Sequence, residues 1–230
     1  RMRELAEQGL FMPYREKSQA GLQITGDRGK ALYQAVFPTR VYDNFTSIPS
    51  VITNSLLFIE NRELLDDTRP KKNPAIEWDR LGKALLDKMT QFFRPEHDVV
   101  GGSTLATQIE KYRHSPNGLT ITPRDKLQQV LSASVRAYLD GEETLARRER
   151  IVVDYLNTVP LAAAPGYGEA NGLGDGLWVW YGLDFDETNH ILNSRLVEGD
   201  ALVEVARLYK HALSLMIAQR RPSYYLISGR

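Results

Sequence analysis

The sequence contains no cysteine, which excludes disulfide bonds, thiolate nucleophiles and cysteine-ligated zinc. Histidine is scarce, and the four residues (His97, His114, His190 and His211) form neither an HExxH motif nor a close pair. A metal site built from histidines is therefore not expected. No apolar run reaches the roughly 18 residues that a membrane span needs, and no signal peptide is visible.

An excess of charge of one sign is also missing, because 29 Lys and Arg residues balance 29 Asp and Glu residues. This balance argues against nucleic-acid binding, which usually requires a basic excess. The 230 residues are 42% hydrophobic and 25% charged, which is typical of a globular rather than a disordered chain. The chain opens with Arg1-Met2-Arg3, so we expect it to be a fragment from which an upstream anchor or signal has been removed.

The pattern of apolar residues predicts a mainly α protein with a small β appendage at its start. Two apolar segments flank Gly26-Asp27-Arg28-Gly29, which predicts a β-hairpin over residues 21–37, ended by Pro38. Helices are predicted from a cap at Ser47 or Ser50 to residue 66, and over 76–93, 103–114, 123–140, 143–157 and 202–219. In the helix after Pro123, we expect Leu127, Val130 and Leu131 to face the core.

Residues 165–182 are rich in glycine and carry bulky aromatic side chains. A segment of this composition is typical of a functional loop. Trp178 is expected to pack inside the protein, whereas the sequence leaves the position of Trp180 open. A role for both rings as a sugar-stacking or membrane-contacting lid is the alternative.

A carboxylate interrupts the apolar stripe of the helix that begins near Ser50. Residues four positions apart there are Ile52, Leu56, Glu60 and Leu64. Desolvation of Glu60 is expected to raise its pKa, so that it can act as a general base or acid near neutral pH. The alternative is a carboxylate at the edge of the stripe that reaches water or pairs with Arg62 or Arg124.

The segment from Gly101 to Ser115 predicts an anion site at a helix start. Its two glycines allow close backbone approach, and Ser103 or Thr104 can cap the helix that follows. The helix then has one polar face and an apolar face. The polar face comprises Thr104, Gln108, Lys111 and Ser115, and the inward face comprises Leu105, Ile109 and Tyr112. An ordinary capped amphipathic helix is the alternative, and the missing GK[ST] ending excludes a Walker A loop.

The helix after Pro123 offers cations at steps of three and four residues. One side of it comprises Lys126, Gln129, Ala133 and Arg136, with Arg124 at its start. Such a face can bind phosphate, although charged helix faces are usually only solvated. A carboxylate in an apolar cleft, a helix-start anion site and a basic wall together suit transfer chemistry on a phosphorylated substrate.

Four motifs occur in an order that is typical of one enzyme family. The segment 59–64 (IENREL) occupies the place of an E-D-x-x-F motif, and 101–111 (GGSTLATQIEK) is similar to G-G-S-T-I-T-Q-Q-L-x-K. The segment 125–129 (DKLQQ) occupies the place of R-K-x-x-E, and 150–157 ends in Y-L-N. Over residues 40–226 the chain therefore resembles the family 51 glycosyltransferases, the peptidoglycan transglycosylase domains of class A penicillin-binding proteins and monofunctional transglycosylases.

The resemblance implies a lysozyme-like fold with two lobes around a cleft, in which lipid II is polymerised. Residues 1–39 would form a juxtamembrane segment with the hairpin, and residues 40–230 the transglycosylase-like domain. The implied partners are lipid II, the glycan chain linked to undecaprenyl pyrophosphate, and the membrane surface. No nucleic acid is expected. The implied location is the periplasmic face of the bacterial inner membrane, with an anchoring segment outside this chain.

The resemblance also implies roles for individual residues. Glu60 matches the general base that deprotonates the acceptor hydroxyl, and Gln129 occupies the place of a second catalytic acid. The residues expected to contact substrate or its pyrophosphate are Arg62, Ser103, Thr104, Gln108, Lys111, Arg124 and Lys126. Some family members use a divalent cation at the pyrophosphate, which leaves Mg or Mn open as a cofactor, and no residue is assigned as a metal ligand.

Three residues that depart from the family motifs support a second possible function. Asn61, Gln129 and Val153 stand where the family has acidic residues. Because Gln129 cannot ionise, it can donate hydrogen bonds to a phosphate but is a poor metal ligand. The alternative function is thus a catalytically silent module that binds lipid II or glycan. A lysozyme-like glycan hydrolase is a third reading, which the anion-binding elements disfavour.

Overall fold

The computed structural model describes residues 21–36, 39–77, 103–114, 120, 122–194 and 198–228. Helices dominate this part of the chain, which also contains two short antiparallel strand pairs. A mainly α fold with a small N-terminal β-hairpin is confirmed, and it is consistent with a lysozyme-like domain. The described residues divide into two compact units. One lies within Glu60–Ile151, and the other is formed by the residues before Glu60 and those from Val152 onward.

The N-terminal hairpin pairs β1 (Gly21–Thr25) with β2 (Ala31–Val36). Leu22 lies opposite Ala35, and Ile24 lies opposite Tyr33. The turn is closed by a hydrogen bond of 3.0 Å from the Gly29 amide to the Gly26 carbonyl. Gly29 has a φ of 70°, a backbone conformation that favours glycine and explains why this sequence turns here. The predicted end of the hairpin at residues 37 and 38 lies outside the described residues.

The first helix, α1 (Ser50–Glu60), is shorter than predicted. The sequence suggested that it continues to residue 66, but the chain leaves the helix directly after Glu60. The buried Asn61 side chain donates a hydrogen bond to Glu77 instead of pointing to solvent from a further helical turn. Asparagine has a lower helix propensity than leucine or glutamate, and the apolar pattern alone does not reveal its distant partner.

The segment after α1 is held by a buried arginine. Arg148 lies on α4 (Leu145–Thr158), and its side chain is fully buried. Its guanidinium donates to the carbonyls of Leu64, Asp66 and Arg69 at 2.8, 2.8 and 3.1 Å. Three carbonyl acceptors offset the cost of burying this charge, so Arg148 fixes the path of the chain that follows Glu60.

Small residues bring the remaining helices of the first unit together. The helices α2 (Leu105–His114) and α3 (Pro123–Ala137) pack against each other, and Ala106 and Ala133 lie in their common core. Alanine side chains allow close approach of two helices. A capping box between Thr122 and Asp125 starts α3. The helix predicted over residues 76–93 lies almost wholly outside the described residues.

The predicted core face of α3 is wrong for Leu127 and Leu131, whereas the third predicted residue, Val130, packs against the buried cluster of Ala75, Ala106 and Ala133. Leu127 is 59% exposed and Leu131 is 38% exposed, whereas Gln129, Ser132 and Ala133 are buried. The reason is a buried carboxylate on α2 that was not predicted to face α3. Glu110 is only 1% exposed, and polar groups of α3 must turn toward it because an unpaired buried charge is strongly unfavourable.

The second unit contains the rest of the described elements. After α4 come β3 (Pro160–Ala164), β4 (Gly168–Asn171), α5 (Gly172–Tyr181), α6 (Phe185–Leu192), α7 (Asp200–Ala218) and a final π-helical segment (Ser223–Ser228). The helix α5 packs against α7 and both strands. Buried residues of this unit include Ile52, Leu56, Leu161, Leu173, Leu177, Leu208 and Leu215.

The glycine-rich segment is therefore not a loop, as its composition suggested, but the strand β4 and the helix α5. Three glycines of α5 occupy positions where a larger side chain does not fit. At Gly176, for example, an added Cβ would lie 2.5 Å from Leu161 Cδ1. Trp178 differs from expectation, because it is 44% exposed rather than packed inside. Trp180, whose position the sequence left open, is buried and donates to the Leu161 carbonyl at 2.9 Å.

Candidate active site

Glu60 is the last residue of α1 and lies in a buried position. It is 8% exposed, and the neighbouring stripe positions Ile52, Leu56 and Leu64 are between 0% and 1% exposed. Burial confirms the stripe predicted from spacing for Ile52, Leu56 and Glu60, whereas Leu64 is buried but lies beyond the end of α1. Gln108 on α2 donates a hydrogen bond of 3.1 Å from Nε2 to Glu60 Oε2. This donor orients the carboxylate that is expected to accept the proton of a substrate hydroxyl.

A second hydrogen bond holds the glutamine that contacts Glu60. The Tyr112 hydroxyl donates to Gln108 Oε1 over 3.5 Å, one helical turn further along α2. The side-chain amide of Gln108 therefore has a partner on each side, which fixes its Nε2 toward the carboxylate. The chain Tyr112–Gln108–Glu60 lies entirely within the first unit.

Two lysines of the first unit lie close enough to influence each other. Burial first, and the charge of Lys111 second, lower the pKa of Lys126. Lys126 Nζ donates to Ser103 Oγ at 2.5 Å, and Lys111 Nζ lies 5.9 Å from the centre of the Tyr112 ring. Within the part of the chain that the structure describes, neither ammonium belongs to an ion pair. Two neighbouring ammonium groups without a carboxylate partner are suited to a polyanion such as a diphosphate.

The start of α2 is capped by its own side chains. The Thr104 hydroxyl accepts from the Thr107 amide at 3.3 Å, and the Thr104 amide donates to Thr107 Oγ1 at 3.0 Å. The predicted cap at Thr104 is confirmed, but its side chain is fully buried rather than part of an open polar face. The glycines before it and Ser115 lie outside the described residues, so the predicted anion site at this helix start stays a prediction.

Gln129, the residue in the place of a second acid, lies on the buried side of α3. It is 6% exposed, and its Nε2 donates to Thr120 Oγ1 at 3.0 Å. The other predicted substrate contacts, Arg62 and Arg124, are exposed. Nothing in the structure tests the role assigned to any of these residues, and their functions stay predictions.

An acidic network that sequence reasoning missed supports this cluster. Glu110 Oε1 accepts from Arg113 at 2.6 Å and from Arg136 Nε at 2.7 Å, and Oε2 accepts from Ser132 at 2.8 Å. Glu110 thus joins α2 to α3 and fixes the helix that carries Gln108. The signal in the sequence is the i,i+3 pair of Glu110 and Arg113, followed by Arg136 on the next helix. Arg136, expected in a phosphate-binding wall, instead neutralises this carboxylate.

The described residues contain no group of three or more Asp, Glu or His side chains arranged to hold a metal ion. The amide of Gln129 is also a weaker ligand for a divalent cation than the carboxylate expected at its position. The described residues therefore do not supply a fitting metal site, and no chemical step is assigned to a metal.

A protein-family model described as Transglycosylase matches residues 29–227. The match covers parts of both units and every residue of the candidate site. No curated protein matches the sequence.

Proposed function

The chain belongs to the transglycosylase family, and from this premise we propose that it is a peptidoglycan glycosyltransferase that polymerises lipid II into glycan strands. The family membership supports glycosyl transfer in general. The finer assignment rests on the first unit, where a buried carboxylate occurs on an element adjoining two lysines that form no ion pair with any described residue. The donor would be the growing chain on undecaprenyl pyrophosphate, and the acceptor would be lipid II.

In this proposal Glu60 acts as the general base. Its carboxylate, oriented by Gln108, accepts the proton of the acceptor hydroxyl while the hydroxyl oxygen attacks the anomeric carbon of the donor. The bond from that carbon to the pyrophosphate oxygen breaks, and the leaving oxygen takes the electron pair. Attack from the side opposite to the leaving group inverts the configuration of the anomeric carbon.

Lys111 and Lys126 stabilise the negative charge that develops on the departing pyrophosphate. Burial first, and repulsion from Lys111 second, lower the pKa of Lys126, and a bound anion offsets both effects by favouring the charged ammonium. Ser103, which already accepts from Lys126, is placed to contact the same phosphate, and Arg62 and Arg124 can contribute further charge from exposed positions.

The hydrogen bond from Gln108 to the buried Glu60 is the observation that carries the proposal, because it links the proton acceptor to the helix of Lys111. The full-length protein is incubated with lipid II in detergent or vesicles, and products are separated by size. We expect glycan strands from the wild type and a loss of at least a hundredfold in rate for Glu60→Gln. Absence of strands from the wild type, with and without Mg²⁺ or Mn²⁺, would contradict the proposal.

A second candidate is a catalytically silent module that binds lipid II or glycan. Gln129 favours it, because a buried amide bonded to Thr120 cannot supply the acid expected at this position. This candidate predicts lipid II binding that is equal in wild type and Glu60→Gln, with no turnover in either. The variant Gln129→Glu separates the two readings further, since higher activity would show that the native glutamine represents a loss of function.

The proposed location is the periplasmic face of the bacterial inner membrane, where lipid II is presented. No helix among the described residues has both the length and the apolar character to cross a bilayer. We propose that contact with the membrane surface accompanies binding of the lipid-linked substrates. Cell fractionation and flotation of the full-length protein with vesicles test this assignment.

A further inference from the structure

Four side chains of the second unit form a surface cluster that includes none of the residues assigned to catalysis. The guanidinium carbon of Arg40 lies 4.6 Å from the centre of the Trp178 ring, and Arg40 NH1 lies 3.7 Å from Asp175 Oδ1. Tyr167 interacts with the same carboxylate, since burial first and a hydrogen bond with Asp175 second raise its pKa. Its phenol therefore remains protonated near neutral pH, and its single O–H donates to the Asp175 carboxylate.

The local fold builds this cluster in a defined geometry. Asp175 and Trp178 are three residues apart on α5 and thus share one face of the helix. The helix α5 packs against β4 and α7 and contains Gly174. A Cβ added to Gly174 would lie only 2.1 Å from the Arg40 carbonyl oxygen. Glycine at this position allows the backbone of Arg40 to lie against α5. The side chain of Arg40 can then reach both Asp175 and Trp178.

Trp178 remains open to solvent although an arginine covers part of it. Its exposed fraction is 44%, whereas Trp180, two residues later, is buried and hydrogen-bonded to the Leu161 carbonyl. An exposed tryptophan ring leaves a large apolar surface in contact with water, and a ligand that covers this surface gains the favourable free energy of its burial. The stacked Arg40 also restricts the ring, so that less side-chain entropy is lost when a ligand binds.

We propose that Arg40, Tyr167, Asp175 and Trp178 form a carbohydrate-binding site that takes a pyranose ring of a glycan chain. A pyranose has an apolar face of C–H groups and a rim of hydroxyls. The Trp178 ring complements the apolar face, and the rim hydroxyls find an acceptor in Asp175 and donors in Arg40, while Tyr167 holds the Asp175 carboxylate in place. That the bound glycan is the nascent strand rests on the proposed function. That the ligand is a sugar rests on the four side chains of the cluster.

The test uses the full-length protein and chitotetraose, a soluble β-1,4-linked oligomer of N-acetylglucosamine. Binding is measured by calorimetry and by the change in tryptophan fluorescence. We expect saturable binding by the wild type, a loss of at least tenfold in affinity for Trp178→Ala and Asp175→Asn, and retention within about threefold for Trp178→Phe, because a smaller aromatic ring still stacks. Tyr224→Ala, which removes an aromatic side chain that is 61% exposed, serves as the matched control and should leave the affinity unchanged.

Two results would overturn the site. One is absence of saturable chitotetraose binding by the wild type, and the other is equal affinity of wild type and Trp178→Ala. Circular dichroism and thermal unfolding of each variant establish that a lost affinity is not lost folding, and Trp178→Phe gives a second, conservative readout. Glu60→Gln should bind chitotetraose like the wild type, so failure of this site and failure of the proposed catalysis give different results. Binding of chitotetraose without lipid II turnover would retain the site and reject only the enzyme.

Discussion

The buried network around Glu110 offers a prediction whose size follows from the structure. Arg136 on α3 donates to Glu110 Oε1 at 2.7 Å, and the carboxylate is 1% exposed. The variant Arg136→Met keeps the length and much of the apolar surface of the side chain but removes its charge. Glu110 would then retain Arg113 and Ser132 as partners while losing one of the two cations that the described residues place against it.

Removing one partner from a buried ion pair typically costs about 3–5 kcal/mol, because the remaining charge is left without compensation. Arg113 still contacts the same oxygen, so we expect the lower end, about 3 kcal/mol. The surface pair of Glu204 and Arg207 provides a matched control with a similar distance of 2.6 Å. Both of its side chains are more than 40% exposed, and exposed pairs contribute about 0–1 kcal/mol. Arg207→Met should therefore have little effect.

Urea-induced unfolding followed by circular dichroism measures the free energy of unfolding of both variants. The double variant Glu110→Gln with Arg136→Met should recover part of the unfolding free energy that Arg136→Met loses, because the buried carboxylate charge is no longer present. If Arg136→Met were no more destabilising than Arg207→Met, the reasoning that Glu110 is a buried, ionised carboxylate would be refuted.

Three further predictions concern other features of the described structure. Lys111→Met should move the pKa of Lys126 upward toward its ordinary value of 10.5, because it removes one of the two causes of the depression; an NMR titration that shows no change would mean that the two ammonium groups are not neighbours. Hydrogen bonds from Thr68 and then Arg69 lower the pKa of Asp66 from 3.8 to about 2, so its contribution to stability is present above pH 4 and lost as the pH falls toward 2. Asp66→Asn should flatten this part of the acid-unfolding curve, and an unchanged curve would contradict the assignment. Gly174→Ala should destabilise the protein by about 1–3 kcal/mol in urea unfolding through the clash with the Arg40 carbonyl, and a neutral effect would show that the two segments do not approach closely.

Local patterns predicted much of the helical architecture and the burial of Glu60. The stripe of Ile52, Leu56, Glu60 and Leu64 follows from helical periodicity, which depends only on residues near each other in sequence. The end of α1 was missed because it depends on the Asn61 side chain bonding to a distant residue. Periodicity has no information about such partners.

The orientation of α3 and the nature of α5 were mispredicted for two related reasons. On α3, the need to neutralise Glu110 of another helix outweighed the burial of Leu127. On α5, glycines that suggested a loop instead permit close packing, as the approach of the Arg40 carbonyl to Gly174 shows. Both outcomes depend on tertiary neighbours, which are not encoded in the composition of a single segment.

For the candidate site, the sequence provided the residues but not their connections. Glu60, Gln108 and Lys111 were selected from motifs, whereas the hydrogen bond from Gln108 to Glu60 required coordinates. The opposing influence of Lys111 on Lys126 likewise depends on how two helices pack. Gln129 was chosen for its place in a motif, and its bond to Thr120 gives it a structural partner that spacing did not suggest.

Turnover of lipid II by Glu60→Gln beside the wild type tests the central claim most directly, provided that lipid II binding is recorded on the same samples. The account predicts that both proteins bind lipid II with similar affinity and that only the wild type releases undecaprenyl pyrophosphate at an appreciable rate. Equal rates of release from the two proteins would contradict the assignment of Glu60 as the base.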